Sequence, residues 1–413
     1  MVDDRPFDIG VLGATGVTGT QAVRYLAERL DGTMVRWCLG GRDRARVESI
    51  RDRFGAEVAC TTVDVTNAAS LRTFVESVGT VINLVGPYAR FGDAVHDACI
   101  NAGTHQVDAC GEIDWLRQRI QGHDEHARGR GVRLVHTAGF ESLPFDLGTR
   151  RLAEHFVSRG GSLVKIDVAI RVRRDPPILA TGDLISGGTL VSGADAIRRG
   201  ATAAMHDARI LDVQDHAPLP YDLAPRRHLG TGAWLGPMIP SPHINPAIAH
   251  RTERLLRDTG YFHRDFRFQE GLVADELVPG LPGALSASWM AGVQAWTNAI
   301  AGAPPAIRNA AADAAELLGP RQGAGPDDAR LAGWTWTLDF NAVGDDRTTA
   351  QLRARGLGHP GYRSSANYVA EMGVALHEDH DPQHFGYLTP ALASPAIERF
   401  EGAGLVFEPI RTS

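Results

Sequence analysis

The chain has 413 residues, 43% hydrophobic and 22% charged, which is the make-up of a globular protein long enough for two domains. Its formal net charge of −7 leaves no broad basic surface for nucleic acid, so no nucleic-acid partner is expected. Of the 42 Lys and Arg residues only Lys165 is a lysine, which excludes a Gly-Lys-Ser/Thr phosphate loop and any other catalytic lysine.

Phe7 to Gly13 has the form of a buried strand, followed by a helical pattern over Val17 to Leu30. Met34 to Leu39, Val58 to Asp64, Thr80 to Val85, His105 to Cys110 and Val132 to Thr137 are five further strand-like runs. Helical patterns separate them over Arg42 to Phe54, the LRTFVESV segment, Asp93 to Ala102 and Ile113 to Arg128. Six strands alternating with helices predict a parallel sheet covered on both faces, a Rossmann-type doubly wound α/β domain over residues 1–143.

Pro144 sits where a proline opens a helix, here Phe145 to Val157. Three strictly alternating runs then appear, centred on Val164 to Val172, Trp334 to Ala342 and Ala350 to Ala354. Gly344-Asp345-Asp346 joins the last two as a hairpin. Residues 144–362 are therefore expected to form an α+β domain on a mainly antiparallel sheet, with one face buried and one polar. Leu281 to Ile307 is apolar but broken by Gly and Pro, and is expected to be helical only in pieces. It has three readings: the lining of a hydrophobic tunnel, a contact with a membrane surface or another subunit, or plain core. Ser364 to His377 is an amphipathic helix; a short tail helix near Pro395 to Ala403 and a strand over Leu405 to Glu408 complete residues 363–413.

Cys38, Cys60, Cys99 and Cys110 have no CxxC spacing and lie in or beside apolar runs, as small buried residues in a reducing compartment do. The start MVDDRPFDIG is acidic and enters a strand at once, so no targeting peptide is expected and a cytoplasmic location is.

The first strand runs through GATGVTG into the first helix, the context in which glycines let the backbone approach a pyrophosphate. Gly13, Thr15, Gly16, Val17, Thr18 and Gly19 form the candidate cradle; a bare structural turn is the alternative. The second strand ends in Gly40-Gly41-Arg42 with no acid before Asp43. An arginine there suits the 2′-phosphate of NADPH, although it equally suits a solvated helix face. Asp64 and Val65 are placed at the adenine edge. Asn83, Val85, Gly86, Pro87 and Tyr88, with Gly139 and Phe140, are placed at the nicotinamide half.

The Tyr-xxx-Lys pair of short-chain dehydrogenases is absent, since Lys165 has Gly161 four residues before it and falls on the polar face of its strand. The candidate catalytic groups follow strand ends: Tyr88 as proton donor or stacking ring, Glu112 as polarising group or helix cap, and Glu141 beside Ser142. Ser186, Gly187, Gly188 and Thr189 form a helix start whose N–H groups suit a substrate carbonyl, or an ordinary cap. His377, His380 and His384 have metal-ligand spacing but lie in an acidic loop; no metal is expected.

GATGVTG, GGR, NLVGPYARFGDAVHDAC, VDACGE and GFESLPFDLG, in that order, resemble the saccharopine dehydrogenase-like oxidoreductases, and within them the trans-acting enoyl reductases. The likeness continues through SGGT, HINPAIAHRTERLL, YFHRDFRFQE and HPGYRSSANYVAEMGVAL to YLTPALASPAIERFEGAGLVFE, covering nearly the whole chain. It departs where the family has GGVLTPA and this chain FGYLTPA, and at Arg363-Ser364-Ser365, where the family has small residues. The resemblance implies NADPH as cofactor and a last segment that returns to the first domain. It also implies reduction of a conjugated C=C bond in a hydrophobic polyketide, isoprenoid or acyl substrate, free or carrier-bound. Imine or carbonyl reduction, with Arg171, Arg173 or Arg363 binding a carboxylate, and a non-catalytic nucleotide- or lipid-binding protein are the alternatives. The expected assembly is a homodimer, with peripheral membrane contact as a further expected partner.

Overall fold

The computed structural model describes residues 5–175, 187–200, 206–213, 217–239, 241–275, 280–319 and 325–412. The chain opens with β1 (Phe7–Leu12), α1 (Val17–Arg29), β2 (Trp37–Gly41), α2 (Arg44–Arg53), β3 (Ala59–Thr62) and α3 (Ala68–Glu76). It continues with β4 (Val78–Asn83), α4 (Tyr88–Ala102), β5 (His105–Asp108), α5 (Ile113–Gly129) and β6 (Arg133–Val135). Every pairing among these strands is parallel, and the order reverses between β1 and β4. That switch point leaves a crevice beyond the strands' C-terminal ends. Because both faces are covered, the strands are near-continuous apolar runs, with Ile9, Val11, Val81, Ile82, Val107 and Val135 wholly buried.

The second domain begins with α6 (Leu143–Val157), β7 (Leu163–Arg174), α7 (Gly187–Arg199), β8 (Arg226–Arg227), β9 (Trp234–Gly236), α8 (Ile244–Leu255) and β10 (Phe262–Val273). Next come α9 (Gly283–Ala301), α10 (Pro305–Leu318), the short α11 (Asp328–Leu331), β11 (Trp334–Gly344) and β12 (Thr349–Leu357). After α12 (Ser365–Glu378) lie β13 (Gly386–Leu388), α13 (Pro390–Ala393), β14 (Leu405–Phe407) and β15 (Arg411–Thr412). The second sheet runs β14-β12-β11-β7-β10-β9-β8, with β15 also on β12. It is antiparallel except between β7 and β10, which are parallel.

Its inner face packs on α6 and α8 through Ile166, Val168, Phe266, Phe268, Trp336, Leu338 and Phe340, all buried. Burial of such side chains contributes about 1.5–3 kcal/mol each. The outer face departs from the expected one-sided pattern. Asp167 and Ala169 are buried too, because Arg226 ion-pairs with Asp167 and His228 Nε2 lies 3.1 Å from its carbonyl. Lys165, on the same face, is partly buried.

Residues after 363 belong to both sheets. α12 lies on β4, β5 and α1, and β13 adds a seventh parallel strand beside β6. Buried Glu371 of α12 accepts from Tyr25 at 2.8 Å and Arg29 at 3.0 Å. Asp146 does not cap its own helix: it accepts from the Ala391 N–H at 2.8 Å and from Thr252, tying α6 to α13 and α8. Leu281 to Ile307 has a single break, not several. α9 is one 19-residue helix, and the break falls at Pro304 before α10.

Candidate active site

The glycine turn lies between β1 and α1 at the switch point. Gly13 has φ +83°, and a Cβ there would meet the Leu84 backbone at 2.8 Å. A Cβ on Gly19 would lie 2.0 Å from the Gly13 oxygen, so only glycine lets the helix come this close to the strand. No side chain caps α1 at Gly16, which leaves the N–H groups of its first turn to a ligand. The cradle fits a dinucleotide pyrophosphate. Thr15, Val17 and Thr18 stand in or beside it.

Arg42 is exposed past β2, and the charge of Arg42 helps lower the Asp64 pKa, after the larger effect of two Thr66 hydrogen bonds. Both Thr66 bonds go to Asp64 Oδ1, and the next residue, Val65, is buried. Asn83 ends β4, Leu84, Val85, Gly86 and Pro87 follow it, and the Gly86–Pro87 peptide is cis. The Asn83 side chain accepts from the Val85 N–H at 3.1 Å and so shapes this loop.

Two of the three catalytic candidates are held by the protein itself. The Tyr88 hydroxyl donates to the Asn83 carbonyl at 3.1 Å and accepts from the Ala109 N–H at 3.3 Å. Burial, with the nearby Asp108 charge, raises its pKa well above the ordinary tyrosine value. With its one proton committed to Asn83, Tyr88 clamps the β4 and β5 loops together. Glu112 is a cap, but not of the helix it precedes. It accepts from the N–H groups of Tyr88 at 2.8 Å and Ala89 at 3.1 Å, closing the start of α4.

Glu141 is different. It is partly buried past β6, folded over Gly139, and burial raises its pKa to about 7. Ser365 Oγ lies 3.1 Å from its Oε2, accepts from the Phe140 N–H at 2.9 Å, and reaches the Pro360 carbonyl at 2.9 Å. One hydroxyl proton cannot serve both Pro360 and Glu141. All bonds are satisfied when Glu141 carries the proton and donates it to Ser365, which donates onward to Pro360. The Phe140 ring packs edge-on against Trp336 at 4.8 Å, joining this loop to the second sheet.

Of the expected substrate residues, Ser186 lies outside the described residues, while Gly187, Gly188 and Thr189 begin α7, where Thr189 is exposed. The ion pairs of α7 with the first domain come from its other half, Asp195 to Arg90 at 2.6 Å and Arg199 to Asp114 at 3.0 Å. Arg199 stands 3.5 Å from Glu112. Arg171, a candidate carboxylate binder, is 3.5 Å from Asp339. His380 and His384 are exposed.

A buried His96–Asp108–His136 cluster escaped the sequence reading, because its members come from α4, the end of β5 and the residue after β6. Such a donor set can hold a metal; here Asp108 is bonded to His136, while Nε2 of His96 and Nε2 of His136 have no hydrogen-bond partner among the described residues. Asp108 accepts from His136 Nδ1 at 2.8 Å, Gln106 at 3.0 Å and the Cys110 N–H at 3.0 Å. Burial pushes the Asp108 pKa up, but the two histidines more than offset this and hold it below the ordinary carboxylate range. Adjacent Thr137 has φ +56° and donates to the Cys110 carbonyl at 2.6 Å, so the loops after β5 and β6 are locked together.

Comparison with known proteins agrees with this geometry. Residues 9–135 match the saccharopine dehydrogenase NADP-binding domain. Over 99% of both chains, this protein is 28% identical to trans-acting enoyl reductases of Mycobacterium tuberculosis and Mycobacterium bovis. It is likewise 28% identical to the Mycobacterium leprae enzyme, over 100% of this chain and 99% of that one. Saccharopine dehydrogenase (L-Glu forming) from Saccharomyces cerevisiae shares the fold, with a TM-score of 0.53 over 98% of this chain and 100% of that one at 14% identity. The first sheet carries a saccharopine dehydrogenase NADP-binding domain, and the chain as a whole is similar to trans-acting enoyl reductases.

Proposed function

We propose that the protein is an NADPH-dependent enoyl reductase acting on the conjugated C=C bond of a hydrophobic acyl, polyketide or isoprenoid substrate, free or carrier-bound. The observation that carries this is the end-to-end similarity to proteins named trans-acting enoyl reductases. The Gly13–Gly19 turn holds the pyrophosphate, Arg42 the 2′-phosphate, Asp64 and Val65 the adenine, and the 83–87 loop with Gly139 and Phe140 the nicotinamide half. Bound there, NADPH supplies a hydride at the nicotinamide C4. Glu141 carries a proton near neutral pH; it gives up its bond to Ser365 to deliver that proton to the substrate α-carbon, Ser365 then turns its own hydroxyl to the carboxylate, and solvent returns the proton. Tyr88 and Glu112 position the loops.

We divide the chain at 143/144 and 362/363. This is supported by β1 to β6 lying in one sheet and β7 to β12 in the other, with the last segment contributing to both. The four free cysteines support a reducing, cytoplasmic location, and the exposed apolar side of α9 supports a homodimer. No helix among the described residues is long and apolar enough to cross a membrane.

Wild-type enzyme should oxidise NADPH with a long-chain 2-enoyl pantetheine thioester. Glu141→Gln should lower kcat by about 10²–10⁴-fold and leave the Kd for NADPH unchanged. Turnover with an imine or ketone and none with the thioester would transfer the assignment to the opine-type alternative.

A further inference from the structure

The second domain carries a buried acid that the cofactor site does not use. Glu270 of β10 continues the inward row of Phe266 and Phe268, beside Val168 of β7, and is 8% exposed. Its Oε2 accepts from Asn245 Nδ2 at 2.7 Å, and Met238 Sδ lies 3.9 Å from the same nitrogen. Among the described residues, Oε1 of Glu270 and Oδ1 of Asn245 have no hydrogen-bond partner although both are buried. The pair stands at the junction with the first domain. Ile244, next to Asn245 at the start of α8, reaches within 3.0 Å of where a Cβ on Gly111 would be, and Gly111 immediately precedes Glu112.

Among the described residues, the groups facing Glu270 supply no bonded cation. α8 presents Asn245, β7 presents Val168 and Ile170, the segment before β8 presents Tyr221, and β8 presents Arg226, which is committed to Asp167. Burial raises the Glu270 pKa to about 8, against the smaller opposing effects of Asn245 and Arg226. The carboxyl is neutral at pH 7. Because Oε2 accepts from Asn245, the proton sits on Oε1, the oxygen without a partner. An unpaired buried O–H is costly unless an acceptor arrives to meet it.

We propose that Glu270, oriented by Asn245, is a substrate-binding acid whose Oε1–H meets the carbonyl oxygen of an α,β-unsaturated thioester or ketone. The proposal rests on the enoyl-reduction reading. As hydride adds to the β-carbon, the C=C electron pair moves to the α-carbon and carbonyl, and the Glu270 O–H stabilises the negative oxygen without losing its proton. A neutral acid is the right donor for such an oxygen, since a carboxylate would repel it. Glu141 then protonates the α-carbon, leaving NADP⁺ and the saturated product.

The test compares Glu270→Gln and Glu270→Ala by NADPH oxidation with a long-chain 2-enoyl pantetheine thioester. It is joined by calorimetric binding of the saturated thioester in the presence of NADP⁺. Gln keeps an N–H donor and the shape of the side chain, so it should retain most of kcat and the thioester affinity. It should keep the fall near pH 7 that comes from Glu141 but lose the second step near 8, so that the alkaline limb goes from a two-proton to a one-proton slope. Ala should lose about 10²–10³-fold in kcat. It should also bind the saturated thioester about tenfold or more weakly, with an unchanged Kd for NADPH. Wild-type kcat and thioester affinity in Glu270→Ala, or an alkaline limb as steep in Glu270→Gln as in wild type, overturns the proposal; the Gln variant decides even if Ala does not fold. A wild-type enzyme inert toward every enoyl thioester sinks the enoyl reading itself and this proposal with it. Turnover indifferent to Glu270 sinks only the latter.

Discussion

Arg42 is exposed at the end of β2, where Asp43 begins α2 by accepting from the Arg46 N–H. Its neighbours Arg44 and Arg51 are ion-paired to Glu48 and Asp52, so their charge is already spent locally. Arg42 has no ion pair among the described residues, which leaves its guanidinium for a phosphate. Removing a charge-assisted contact of this kind costs about 1.5–3 kcal/mol. Arg42→Ala should therefore weaken NADPH binding by about tenfold to a hundredfold, barely change NADH, and leave the thermal midpoint almost unmoved. Equal losses for both dinucleotides, measured by fluorescence titration, would remove the phosphate contact. At this scale the sequence was legible wherever backbone chemistry dictates the residue, as at Gly13 and Gly19. It was illegible for Glu112, whose partners Tyr88 and Ala89 lie more than twenty residues away, for the bond from Ala109 to Tyr88, and for Asn245 and Glu270, which meet only when α8 lands on β10.

Among elements, α9 shows what local signals miss. Gly283, Gly292 and the prolines around it suggested breaks, but an internal glycine costs only about 1 kcal/mol and buried contacts outweigh it. Ala287, Met290 and Gln294 face inward at helical spacing, while Leu285, Trp289 and Trp296 are 57%, 60% and 67% exposed on the other side. The helix carries no charged residue, so nothing on it disfavours covering that side. We expect it to meet its own copy in a homodimer, with Trp289 and Trp296 as the central anchors. Trp289→Glu with Trp296→Glu should sediment as a monomer at concentrations where wild type is a dimer, with an unchanged far-UV spectrum. A wild type that sediments as a monomer but floats with phosphatidylcholine vesicles would assign the face to a membrane instead. The seventh strand was hidden for another reason. β13 has three residues, and it earns its place by pairing with β6, some 250 residues earlier, where Gly386, Tyr387 and Leu388 meet Arg133, Leu134 and Val135.

For the molecule as a whole, the buried titratable groups set opposing dependences of stability on pH. Burial lowers the pKa of His96 and His243 to about 4, so each is neutral in the fold and protonates more readily when unfolded, with a pKa near 6.5. Their contribution is complete above about 6.5 and is lost as pH falls toward 4. Asp108, held below the ordinary range, adds a loss at still lower pH. Burial raises Asp146 to about 6, Glu141 to about 7 and Glu270 to about 8, and these act the other way. The fold binds their protons more tightly than the unfolded chain does, so their stabilisation is present at low pH and lost as pH rises through those values. Between about 4.5 and 6 the two sets oppose each other and stability should be nearly flat. Above 6.5 only the acids still titrate, and Glu270 alone costs about 2 kcal/mol between pH 6.5 and 8. Urea unfolding should give a higher midpoint at pH 6.5 than at pH 8.5, and Glu270→Gln should remove most of that difference. His96→Gln should leave the alkaline fall intact and shrink the acid one. An alkaline fall of unchanged size in Glu270→Gln would mean that Glu270 is already ionised in the fold, and the unpartnered Oε1 would then carry no proton to offer.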